Sequence, residues 1–119
     1  MLDEIRAALL TVDPNVCYGT DQELDGTDIW DYTVFRRVNT VLHTRQKYDL
    51  TDCYEVSIVR QDYVPEDEPL RVLAALEAVP GLKRLGEDIR YTAVTKPGTK
   101  AQLEIATLTV CAPRKAGTG

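Results

Sequence analysis

Three long extended segments set around one short amphipathic helix constrain this chain more than any other feature. The first reads Asp31-Tyr-Thr-Val-Phe-Arg-Arg-Val-Asn-Thr40 and the second Asp52-Cys-Tyr-Glu-Val-Ser-Ile-Val-Arg60. The third, Leu103-Glu-Ile-Ala-Thr-Leu-Thr-Val110, follows the helix. Their β-branched and aromatic side chains suit a pleated, half-buried surface. Strands are not stable singly in water, so segments of this kind must meet in one sheet.

The elements between them complete the order. Residues 2–11 predict a helix, because Leu2, Ile5, Leu9 and Val12 recur on one face, and Asp3 and Glu4 sit at its positive end. Asp13-Pro14 stops it, since the residue before proline is pushed out of the α region. Asn15–Tyr18 reads as a brief strand and residues 20–27 as a surface loop with an Asp25-Gly26 turn. A strand over about 30–42 places Tyr32, Val34, Val38 and Leu42 on one face, Phe35 and Val41 on the other. Neither face is cleanly polar, so both need cover, from helices or from a partner chain. Residues 43–51 connect to a strand over 52–62, with Tyr54, Val56 and Ile58 pointing one way and Cys53, Glu55, Ser57 and Gln61 the other.

Pro65-Glu-Asp-Glu-Pro69 opens a second helix whose stripe is Leu70, Leu73 and Leu76 with Val72 and Val79. Pro80-Gly81 ends it. Two closing strands, 89–95 and 101–111, flank Lys96-Pro-Gly-Thr99, a type II turn sequence. In the last strand Leu103 and Ile105 share one face, and Leu108 and Val110 share the other; a bulge near Ala106 or burial on both faces accounts for that. The expected fold is α+β: a small, mostly antiparallel sheet with two helices packed on one face, in the order α-β-β-β-α-β-β. Residues 1–111 form the single domain, and 112–119 a flexible tail.

Composition narrows the function. The chain has 119 residues, 44% hydrophobic and 28% charged, with a net charge of −5. That balance argues against a phosphate-backbone binder, which needs a basic surface. No apolar run reaches the ~20 residues that span a bilayer, so no membrane role is expected. The acidic start has no secretory pattern, and Cys17, Cys53 and Cys111 are odd in number. They are therefore expected as reduced thiols in a cytoplasm.

Catalytic chemistry is scarce. The single histidine, His43, would need Ser57 or a cysteine as nucleophile, and Ser57 lies mid-strand rather than on a sharp turn. No two cysteines have zinc-knuckle spacing, so no metal site is expected. Asp28 and Asp31 flank Trp30, which fits a carbohydrate site, a capped strand junction with Trp30 as its anchor, or a subunit contact. Arg36 and Arg37 point to opposite faces of their strand. Glu55 and Glu104 are strand carboxylates able to pair with one of them, within or between subunits. The candidate interface residues are Trp30, Asp31, Arg36, Arg37 and Glu55; no catalytic residue, cofactor or metal is expected.

Four stretches in this order carry a family likeness. They are Asp31-Tyr-Thr-Val-Phe-Arg-Arg-Val38, Tyr54-Glu-Val-Ser-Ile-Val59, the helix Leu70-Arg-Val-Leu-Ala-Ala-Leu-Glu-Ala78, and Glu104-Ile-Ala-Thr-Leu-Thr-Val110. Together they resemble the tail-completion or tail-terminator proteins of long-tailed bacteriophages, over nearly the whole chain. The resemblance implies a virion structural protein, made in the host cytoplasm, with no catalytic motif. Its partners would be copies of itself in a ring, usually six, together with the tail tube protein and the head connector. DNA would only pass through the lumen. Two other classes stay open: another neck component, such as a head-closure or head–tail joining protein, and a cytoplasmic ferredoxin-like ligand-binding module.

Overall fold

A computed structural model describes residues 1–19, 30–42, 49–96, 98 and 100–115. The helices are α1 (Leu2–Leu10) and α2 (Glu68–Glu77). The strands are β1 (Val16–Tyr18), β2 (Tyr32–Leu42), β3 (Asp49–Gln61), β4 (Lys83–Thr95) and β5 (Gln102–Lys115). The chain is α+β. All five strands form one sheet in the order β1-β2-β3-β5-β4, antiparallel except where β1 runs parallel to β2.

Period-two alternation on β3 builds the core. Tyr54, Val56 and Ile58 stand opposite Val110, Leu108 and Ala106 of β5, and Phe35 of β2 stands opposite Val56. All of these are buried in one cluster with Ile5 and Leu9 of α1 and Val72, Leu73 and Leu76 of α2. Each fully buried aliphatic side chain of this kind contributes about 1.5–3 kcal/mol through the water it no longer contacts. α1 ends as expected, with Asp13 N–H donating to Leu9 O at 2.9 Å before Pro14. In α2, Pro69 occupies the first turn and is buried, whereas Leu70 is exposed, so the second helix's stripe is narrower than its leucines suggested.

Several strand boundaries differ from the sequence reading. Between Arg37 and Asn39 the register of β2 against β3 shifts by one residue. An extra residue in a strand moves everything beyond it to the other face. Val41 therefore follows the parity of Val34, and Leu42 that of Phe35, the reverse of simple alternation. No bulge interrupts β5: its register with β3 is continuous from Leu103 to Lys115, and burial on both faces explains the phase change, as with Leu103 and Val59. The irregularity lies in β4 instead, where Gly86 to Ile89 stand opposite Leu108 alone. Gly86 has φ 84°, a conformation that strains any residue with a Cβ.

β4 also begins at Lys83, because residues 83–85 pair with 109–111 rather than forming a linker. The turn before β5 is closed by Lys96 N–H donating to Ala101 O at 2.8 Å, and Gly98 has φ 76°; Pro97 and Thr99 of the type II turn sequence lie outside the described residues. β5 extends to Lys115, so residues 112–115 belong to the sheet and not to a flexible tail. The loop read at 20–27 lies outside the described residues, as do 43–48 of the connection read at 43–51; residues 49–51 of that connection already belong to β3, paired with β5.

Candidate functional site

The five interface candidates fall in three separate places. At the lower end of the sheet, where β2 starts and β3 ends, Trp30 is half-buried and the Lys96 ammonium sits 4.7 Å from its ring centroid. Asp31 accepts a hydrogen bond from Gln61 N–H at 3.0 Å, and its carbonyl accepts one from Asn15 Nδ2 at 3.2 Å. Asp31 thus closes the strand junction. On one face Arg36 stands opposite Glu55 and donates to it at 3.1 Å, an ion pair within the chain and open to water. Arg37 lies on the opposite face at the upper end, where it lines a cleft with Met1, Leu2, Asp3, Asp52, Tyr54 and Arg114.

The charges that matter most to the architecture are ones the sequence reading passed over. Arg60 continues the inward phase of Tyr54, Val56 and Ile58, so its guanidinium enters the covered side of the sheet. Its Nε donates to Glu68 at 2.8 Å and its Nη2 to Asp13 at 3.0 Å. Its Nη1 donates to the carbonyls of Tyr32, at 3.1 Å, and Val59, at 2.8 Å. Asp13 is buried and accepts further bonds from the Thr33 hydroxyl at 2.8 Å and from Asn15 N–H at 2.9 Å. The cluster floors a cleft of about 510 Å³ rimmed by Asp31, Asp62 and Tyr63. Every nitrogen of Arg60 is engaged, which makes this arginine a structural hub rather than an anion receptor.

At the other end of the same phase, Asp52 is buried and accepts two bonds from Arg114, at 2.6 and 3.3 Å, and one from the Thr40 hydroxyl at 2.6 Å. The Arg114 hydrogen bond holds the Asp52 carboxyl below the usual carboxylate range, against the opposing effect of burial. Asp52 in turn raises Arg114, and burial pushes the Tyr54 phenol up. The sequence did hold a signal for both clusters. Asp52 and Arg60 are charged residues on the apolar parity of their strand, and each therefore needs a partner.

The cysteines depart from expectation. Cys53 and Cys111 face each other across β3 and β5 with Cα atoms 4.2 Å apart and are joined as a disulfide, while Cys17 is buried outside it. A closely spaced pair of the antiparallel ladder brings the two sulfurs together although 58 residues separate them in sequence. Three reduced thiols are thus not what the fold contains.

Ser57 pairs with the Thr107 hydroxyl across the strands at 3.2 Å. His43 and Asp28 lie outside the described residues. Among the described residues no group of three or more His, Cys, Asp or Glu side chains could hold a metal ion, and no helix is long and apolar enough to cross a membrane. No protein-family model matches this chain, and no curated protein sequence matches it.

Proposed function

We propose that this protein is a non-enzymatic virion component of a long-tailed phage. It caps the head-proximal end of the tail tube as a ring of copies, six by the family resemblance, and joins the tail to the head connector. Both helices pack on one face of the sheet, and neighbouring copies cover surface that a lone chain exposes. The acidic total charge lets DNA pass through the lumen without sticking.

The observation that carries this reading is the element order α1-β1-β2-β3-α2-β4-β5, which contains the helix, two long strands, helix and closing hairpin that the resemblance implies, with the short β1 added. The exposed Val38, Val41, Leu42, Leu85, Tyr91 and Val94 on a single sheet support a subunit over an isolated monomer.

Electron microscopy of lysates from a phage whose copy of this gene carries an early stop codon tests the proposal. Tails of abnormal length beside unattached full heads are expected. Tails of normal length left unjoined would move the protein to head closure or joining. Normal infectious particles would overturn the structural reading and favour the ligand-binding module.

A further inference from the structure

The two outer edges of the sheet are guarded unequally. Among the described residues nothing pairs with the outer side of β4, and β1 covers β2 only from Thr33 to Phe35. Exposed strand edges invite pairing with other chains, and proteins blunt them with charges and bulges. The upper part of β4 has both devices: Lys83, Arg84, Asp88 and Arg90, and the irregularity at Gly86. Its lower part, Tyr91-Thr-Ala-Val-Thr95, has neither. It carries no charge or proline, runs in continuous register with β5, and leaves Tyr91 52% and Val94 40% exposed. Beyond its bulge, β2 ends in a second such stretch, Asn39-Thr-Val-Leu42, with Val41 40% and Leu42 70% exposed.

We infer that these stretches are the two halves of a contact between copies of this chain, residues 91–95 of one copy adding as a strand to residues 39–42 of the next. Strand polarity supports a second copy as the occupant. β2 and β4 are each antiparallel to a strand of the β3–β5 pair, which is itself antiparallel, so β2 and β4 run in opposite directions. Two copies in the same orientation therefore bring β4 against β2 as an antiparallel pair, the geometry that alternating Thr, Val and Tyr side chains favour.

No like charges face each other within the paired stretches, and the exposed Tyr91, Val94, Val41 and Leu42 are covered together. The contact joins two different surfaces, so it propagates head to tail and closes into a ring when the rotation allows. The stretches lie at opposite ends of the strands, so successive copies are staggered, as tilted strands are around a barrel. This inference rests on the ring reading above and names its interface.

The test is the oligomeric state of the full chain by native mass spectrometry and sedimentation velocity, with circular dichroism and thermal melts as the folding control. Because Lys96 N–H points to β5, alternation turns the Ala93 amide outward, and Ala93→Pro removes an outer donor while sparing the β4–β5 ladder. Val41→Lys places a charge on the other edge. Each variant alone should assemble at least ~tenfold more weakly than the wild type. An equimolar mixture should give a species of two copies and nothing larger, each variant contributing its intact edge. Ala93→Lys replaces Ala93→Pro if the proline variant does not fold.

Rings unchanged in both variants would overturn this contact and leave the ring reading standing. Loss of assembly with Ala93→Pro but not with Val41→Lys would mean that β4 pairs with β4, which also overturns it. A wild-type chain that stays monomeric at every concentration would overturn the ring reading itself, and this contact with it.

Discussion

The two ends of β3 each place a charge on the covered face of the sheet and satisfy it differently. At the lower end the Arg60 side chain is 11% exposed and binds the turn after α1, the start of β2 and the first residue of α2. At the upper end Asp52 is buried, but its partner Arg114 is 51% exposed, and Thr40 and Arg114 come from neighbouring strands. The first is a knot between layers, whereas the second is a clasp within the sheet. The disulfide one residue from Asp52 reinforces the clasp covalently. A charge from the middle of the chain can organise separate elements only where several of them converge; at a sheet end, neighbouring strands and a crosslink suffice.

The sharpest way to break this contrast is Arg60→Ala, which leaves buried Asp13 and half-buried Glu68 without their counter-charge. A loss of about 3–5 kcal/mol is expected in urea unfolding, with early hydrogen exchange in both α1 and α2. A loss below about 1 kcal/mol would mean that the knot is not a knot. Next comes Cys111→Ser, expected to cost about 2–4 kcal/mol by freeing the unfolded chain, with exchange rising only in the upper halves of β3 and β5. Asp52→Ala should cost about 1–2 kcal/mol, since water can reach the released arginine.

The same carboxylate sets a pH signature. Its folded pKa lies below the unfolded value, so its contribution is complete above about pH 5 and is lost as pH falls through the folded pKa. The stability gap between wild type and Asp52→Asn should therefore narrow from pH 5 towards pH 2, and a gap independent of pH would contradict the clasp. Arg36→Ala, at an exposed pair, should change stability by less than about 1 kcal/mol.

Much of the fold was legible because it rests on local periodicity. Ile5 and Leu9 at helical spacing, and Tyr54, Val56 and Ile58 at alternating spacing, became core positions as read. The misreadings occurred where one residue changed the count. The slip between Arg37 and Asn39 reversed the faces of Val41 and Leu42, and the wide irregularity after Gly86 disguised residues 83–85 as a linker. Ala112 and Arg114 were read as tail because small and basic residues carry no strand signal, yet β3 supplies them with a complete ladder.

By itself the sequence determined which residues prefer helix or strand, where prolines and glycines break them, and the α+β order of the elements. These depend on interactions within a few residues, and the side chains state them directly. Only the tertiary structure decided that Arg60 meets Asp13 and Glu68, that Cys53 meets Cys111, and that, among the described residues, no strand pairs with the outer side of 39–42 or 91–95. Those outcomes depend on strand order and register, which bring together residues tens of positions apart through pairings that no local pattern encodes.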